Sequence, residues 1–162
     1  MTFTTADLYD ANEGKVQVLS LILQSYGNKR RFSGHISTIR CHEDNTLVRA
    51  ALEEPGEGRV LVIDGGGSVR CALVGDNLAQ LAQENGWQGI VLNGCIRDSA
   101  VINELDTGIK ALGTNPKKSV KKGIGERDIP VSFGAVDFVP GSWLYADEDG
   151  VLLSEKQLTI ST

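Results

Sequence analysis

Two short apolar runs constrain the fold most tightly. Arg59-Val60-Leu61-Val62-Ile63-Asp64 and Gly89-Ile90-Val91-Leu92-Asn93-Gly94 lack the polar alternation of a strand with one wet face. They are also too short for buried helices. Runs of this kind are expected of strands covered on both sides, as in a parallel sheet. Between them, Asp76-Asn77 opens a segment with Leu78, Leu81 and Ala82 at helical spacing, stopped by Asn85-Gly86. Cys71 to Val74 is a further short apolar segment, a short helical stretch to about Leu105 follows Asp98, and Ile109-Lys110-Ala111-Leu112 adds a third short strand. The alternation of strand and helix predicts an α/β fold.

The flanks differ. Thr4 and Thr5 precede a capped helix over Ala6 to Asp10. Val16 to Leu19 and Phe32 to Ile39 have strand character, and Asn45 to Leu52 reads as a helix before the turn cluster Glu53 to Gly58. In the last third, Pro130 to Phe133, Val136 to Val139, Trp143 to Ala146 and Val151 to Leu153 are short strands separated by Gly, Pro and Asp. That segment is expected to be β-rich and is compatible with a barrel-like sheet. With 162 residues and no repeat or linker, residues 1–162 are expected to form a single domain.

Composition excludes several function classes. Sixteen Lys and Arg against 21 Asp and Glu leave a net charge of −5, unlike the basic surface that binds nucleic acid. The N-terminus has no basic stretch followed by an apolar core, and no uncharged apolar run approaches the ~18 residues of a spanning helix. A cytoplasmic protein with no membrane partner is expected. Cys41, Cys71 and Cys95 are odd in number, have no CxxC spacing and sit among apolar residues, so reduced, buried thiols are expected rather than a catalytic one. Nineteen Gly with only four Pro point to tight turns and close backbone approaches.

Three places have the residue types that bind ligands. Asp64-Gly65-Gly66-Gly67-Ser68 follows a buried strand, where backbone N–H groups can cradle phosphate. It matches neither GxGxxG nor GxxxxGK[ST], so a structural turn is favoured. Gly75-Asp76-Asn77-Leu78 opens a helix, whose free N–H groups and dipole suit a small carboxylate. Asp76 or Asn77 acting as a plain N-cap is the competing reading, and both can hold at once. Arg97-Asp98 follows the strand Gly89 to Gly94, and open α/β sheets place ligands at such strand ends. One residue can bind an anion while the other binds a metal; a surface ion pair or a helix cap is the alternative. His35 and His42 have no partner at metal spacing and read as structural or exposed. Lys117, Lys118, Lys121 and Lys122 form a basic loop, solvated by default, with an anion contact or a partner site as the minority reading. No GxSxG, HExxH or EF-hand pattern occurs.

Four segments together resemble a known family. Gly75-Asp76-Asn77-Leu78-Ala79, Asn93-Gly94-Cys95-Ile96-Arg97-Asp98, Lys122-Gly123-Ile124-Gly125-Glu126 and Tyr145-Ala146-Asp147-Glu148-Asp149-Gly150-Val151 are similar to the regulator of ribonuclease activity A (RraA-like) family, related to the class II 4-hydroxy-4-methyl-2-oxoglutarate aldolases. The resemblance runs from Thr5 to Glu155. The aldolases carry an Asp, twenty intervening residues and then Arg-Asp, a spacing that Asp76 and Arg97-Asp98 reproduce. The resemblance implies a swivelling β/β/α-type fold and a ring-shaped homotrimer with sites near subunit interfaces. It implies that Asp98 ligates a divalent cation, Mg²⁺ or Mn²⁺, and that Arg97 binds substrate and is catalytic. It further implies a substrate-binding turn of Gly75, Asp76, Asn77 and Leu78, in which Asp76 would also orient a water acting as base.

The implied chemistry is aldol cleavage of a 4-hydroxy-2-keto acid or decarboxylation of oxaloacetate, both releasing the enolate of pyruvate from a small 2-keto dicarboxylic acid. Longer aldolases of the family add an acidic residue from a neighbouring subunit, and Leu158-Thr159-Ile160 offers no equivalent; decarboxylation, which takes no proton from a substrate hydroxyl, is therefore favoured. The short form also resembles members that inhibit RNase E, a second expected partner for an acidic protein if that partner has a basic segment. A methyltransferase role, also attached to this family, is not expected, because Gly65 to Gly67 lack the Rossmann fingerprint.

Overall fold

The computed structural model describes residues 2–160. In chain order its elements are α1 (Thr5–Ala11), β1 (Gln17–Val18), β2 (Gln24–Tyr26), β3 (Phe32–Arg40), α2 (Thr46–Leu52), β4 (Val60–Asp64), β5 (Ala72–Val74) and α3 (Asp76–Glu84). They continue with β6 (Gly89–Ile96), α4 (Ser99–Ile102), β7 (Ile109–Thr114), β8 (Glu126–Arg127), β9 (Val131–Phe133), β10 (Val136–Phe138), β11 (Trp143–Asp147) and β12 (Gly150–Ser154).

The two apolar runs are β4 and β6, neighbours in parallel register at the centre of a ten-stranded sheet ordered β1-β12-β11-β3-β4-β6-β7-β2. β3, β4, β6 and β7 run parallel, and β5 adds a short parallel pairing to β6. β11, β12 and β1 continue the sheet antiparallel beyond β3. The uninterrupted apolar pattern has a direct cause: successive side chains alternate between two covered faces. Leu61, Ile63, Ile90 and Leu92 face a core closed by Val48, Leu52, Leu78, Ala79 and Ala82 of α2 and α3. Val60, Val62 and Val91 face a second core with Phe32, Ile36, Leu144 and Leu153, and Val131, Val136 and Phe138 of the β9–β10 hairpin close it. The result is a mixed α/β domain with a curled sheet, helices on one side and β structure on the other. With only seven residues, α2 cannot hold its conformation alone in water. Burial of Val48 and Leu52, worth about 1.5–3 kcal/mol each, holds it instead.

The expected N-terminal helix is α1, capped by Thr4 Oγ1, which accepts from Asp7 N. Asp147 ties it to β11: its carboxylate accepts from Thr5 N at 2.7 Å and from Thr5 Oγ1 at 2.6 Å. The last third is β-rich as expected but divided. β11 and β12 belong to the main sheet, whereas β9 and β10 pair only with each other. β2 and β8, not foreseen from the sequence, pair antiparallel with β7 and β3.

Candidate active site

β5 ends at Val74, and the chain enters α3 through Gly75. β6 ends at Ile96, next to β5 in the sheet, and Arg97 N donates to Val74 O at 3.0 Å. The two predicted segments are thereby brought side by side. Asp98 takes the left-handed conformation, φ 59° and ψ 37°, sparsely populated outside glycine but tolerated by aspartate. Its Oδ2 accepts from Asp76 N at 3.2 Å. Among the described residues no donor reaches Oδ1.

One expectation is corrected. Neither Asp76 nor Asn77 caps α3. Gly75 occupies the cap position, and Asp76 is the first helical residue. Asp76 Oδ1 accepts from the adjacent Asn77 N at 2.9 Å, and Asp98 satisfies the N–H of Asp76 from outside the helix. Gly75 serves space and not its dihedrals: a Cβ there would lie 3.0 Å from Asp98 Oδ2, close enough to push that carboxylate by a few tenths of an ångström.

Gly75, Asp76, Asn77, Leu78, Arg97 and Asp98 line one small cleft of about 70 Å³. Its other lining residues were not read from the sequence as one site: Asn45, Arg49, Ala72, Lys118, Ser119 and Lys121. Four cationic side chains against two carboxylates leave an excess of two positive charges in a chain whose net charge is −5. Two buried polar atoms of the cleft, Ser119 Oγ and Asn45 Oδ1, have no partner among the described residues. Buried polar atoms are nearly always paired, so such orphans mark where a ligand or water completes the bonding.

Asp44 holds the basic loop over the cleft. Its Oδ2 accepts from Lys122 N at 2.9 Å and Ile124 N at 3.1 Å, and its Oδ1 from Thr46 N at 3.0 Å and Thr46 Oγ1 at 2.7 Å. Burial opposes ionisation of this carboxyl, and the hydrogen bonds from Thr46, Ile124 and Lys122 outweigh it, pulling it down to about 2. Asp44 and Lys122 lie 78 residues apart in sequence, so no local pattern links them. The runs of lysines were the only signal the sequence carried for this wall.

The Gly65 to Gly67 turn is structural, as expected. Asn93 O accepts from both Gly65 N at 3.1 Å and Gly67 N at 3.2 Å, and Asp64 Oδ1 takes Gly66 N at 3.0 Å. The N–H groups that would cradle phosphate are already used. The three thiols are free and buried. His42 is exposed near Glu43 and Arg70, and His35 stacks on Trp143. Of the segments that carried the resemblance, Tyr145 to Val151 is structural: Tyr145 Oη accepts from Leu158 N at 2.7 Å, and Asp147 anchors α1.

Residues 5–153 match the model of the RraA-like family, described as aldolase/RraA. The chain belongs to this family. It is 56% identical over 158 residues to a protein of Aromatoleum aromaticum named "Putative 4-hydroxy-4-methyl-2-oxoglutarate aldolase", covering 98% of this chain and 99% of that one. Relatives carrying that name are thus matched along nearly their whole length, and the longer C-terminus expected of aldolases does not separate them from this chain. Among solved structures, the RNA-processing inhibitor RraA from Thermus thermophilis superposes with a TM-score of 0.94 at 46% identity, covering 98% of this chain and 96% of that one. A Geobacillus kaustophilus structure described as an S-adenosylmethionine:2-dimethylmenaquinone methyltransferase gives 0.92 at 52% identity, with 96% coverage of each. For this RraA-like chain the methyltransferase description finds no support in the glycine turn, whose donors are consumed internally.

Proposed function

We propose that this RraA-like protein is a divalent-metal-dependent lyase that releases pyruvate from small 2-keto dicarboxylic acids. Oxaloacetate decarboxylation is the favoured reaction, and aldol cleavage of 4-hydroxy-4-methyl-2-oxoglutarate is the related one. The observation that carries the reading is the meeting of Asp98, Asp76 and Arg97 with the N-terminus of α3 in one cationic cleft. The names of the curated relatives support the aldolase side of it.

The donor set fits Mg²⁺ or Mn²⁺. No group of three His, Cys, Asp or Glu occurs among the described residues, so a thiolate or imidazole site is not available. A hard cation that keeps several waters needs only one or two carboxylates, and Asp98 has an oxygen free of protein donors, with Asp76 adjacent. When bound, the cation supplies Lewis-acid stabilisation of charge on the substrate's keto oxygen. Arg97 places guanidinium donors on the same developing charge. The N–H of Leu78 and the dipole of α3 suit the carboxylate next to the keto group. In decarboxylation the bond from C3 to the departing carboxylate breaks, its electron pair forms the C2=C3 double bond while the carbonyl π pair moves onto the keto oxygen, and CO₂ leaves the enolate. A proton from water then adds at C3 to give pyruvate. Aldol cleavage differs in needing a base for the substrate hydroxyl, and Asp76 is the carboxylate placed to position a water for that purpose.

Release of pyruvate from oxaloacetate with Mg²⁺, compared between wild type and Asp98→Ala, tests the reading. Turnover by the wild type and its loss in the variant are expected; equal inactivity of both removes the proposal. Mass measurement in solution tests the homotrimer, expected at three times the chain's 17.4 kDa.

A second reading, a protein that binds and inhibits RNase E, draws on the likeness to the Thermus inhibitor. It requires that the purified protein slow RNA cleavage by RNase E and co-purify with it; no effect at micromolar concentration removes it. Among the described residues no helix is long and apolar enough to cross a membrane.

A further inference from the structure

We infer that Ser119 and Lys118 form the subsite for the second carboxylate of the substrate and so set the preference for dicarboxylic over monocarboxylic 2-keto acids. The inference rests on the lyase reading above. Ser119 is 5% exposed and lines the cleft, yet its Oγ has no hydrogen-bond partner among the described residues. An unpaired buried hydroxyl costs free energy that a bound acceptor recovers. Lys118 and Lys121 flank it in sequence, and both line the same cleft with Arg49. Lys118 and Lys121 make no ion pair among the described residues. A hydroxyl donor beside uncommitted cations suits a carboxylate.

The loop that carries these groups is held in place on both sides. Ala72 N donates to Lys117 O at 2.8 Å, and Val120 N donates to Glu43 O at 3.0 Å. Asp44 takes the N–H groups of Lys122 and Ile124. The wall is therefore preorganised, and it lines the same cleft as the α3 terminus and Arg97. Those groups take the keto-acid end of the substrate in the lyase reading, which leaves the basic wall for the other end. Discrimination of this kind is strong, because a substrate lacking the second carboxylate leaves the buried donor unpaired.

The test compares two reactions of the Mg²⁺-loaded protein. One is decarboxylation of oxaloacetate, which has both carboxylates. The other is exchange of the methyl hydrogens of pyruvate with D₂O, followed by NMR, which needs the same enolate but has only one carboxylate. Ser119→Ala and Lys118→Gln are each expected to raise KM for oxaloacetate about tenfold, with kcat and the pyruvate exchange rate within twofold of wild type. Ser119→Ala removes an unpaired oxygen and Lys118 is exposed, so both variants keep the fold, checked by unchanged melting temperature. Equal losses on both substrates, or no change on either, overturn the inference while leaving the lyase reading intact. An inactive wild type removes both.

Discussion

The backbone N–H of Asp76 donates to Asp98 Oδ2 at 3.2 Å, across 22 residues of sequence. This bond joins the first residue of α3 to the residue that leaves β6 in a left-handed turn. It turns an Asp and an Arg-Asp pair, separated in sequence by a strand and a helix, into one cluster. Gly75 makes room for it, since a side chain at that position would press on the Asp98 carboxylate.

Gly75→Ala is therefore expected to harm activity far more than stability. Its φ of −114° suits any residue, so the fold loses little. The added methyl, 3.0 Å from Asp98 Oδ2, displaces the carboxylate and costs roughly tenfold or more in kcat/KM for oxaloacetate. A variant with wild-type activity contradicts this placement of Asp98.

Asp44 should make the protein acid-sensitive through the basic loop. Its folded-state value, about 2, lies below the ordinary 3.8. The stabilisation it contributes is thus complete above about pH 4 and is lost as pH falls through 2. The difference corresponds to about 2 kcal/mol. Denaturant titrations of Asp44→Asn should show a loss of that order at pH 7 and little difference from wild type at pH 2. A constant gap at both pH values would show that the charge of Asp44 is not what holds Lys122 and Ile124.

The thiols should be inert in the folded protein. Burial, with the nearby Asp44 and Asp64 carboxylates adding, pushes the Cys41 thiol up to about 12. Burial raises Cys71 and Cys95 as well. A colorimetric disulfide reagent at pH 8 should titrate none of the three rapidly in native protein and all three in denaturant. Fast reaction of one thiol would place it outside the core.

S-adenosylmethionine should not bind. The Gly65 to Gly67 donors are engaged by Asn93 and Asp64, so millimolar ligand is expected to leave the melting temperature unchanged and to give no calorimetric heat. A saturable signal would reopen the methyltransferase description attached to the Geobacillus structure.

The central sheet was readable in the sequence because its signal is local. Val60 to Ile63 and Ile90 to Leu92 must be apolar at every position when both faces are covered, and a run of that kind needs no distant partner to be recognised. Leu78, Leu81 and Ala82 marked α3 by spacing alone. The likeness of residues 75–79 and 93–98 to a family placed the core of the candidate site at the same stage. The place of the lysine loop at the site escaped, because Asp44, Ser119 and Lys121 share no period and are joined by long-range pairing, the bridge between Asp44 and Val120 and the hydrogen bonds from Lys122 and Ile124 to Asp44. The cap of α3 was misassigned for a related reason. Asp76 has the right chemistry for a cap, but a carboxylate from another segment satisfies its N–H, and Gly75 gives that carboxylate room.

The sequence by itself determined where chain segments are buried, since burial on two faces writes itself into consecutive residues. Which side chains meet in the cleft was decided only by tertiary structure. The pairing of β5 with β6, the left-handed turn at Asp98 and the Asp44 clasp bring together residues from four separate stretches of chain. Their two unpaired buried atoms and excess of positive charge arise from that convergence, and no single stretch carries them.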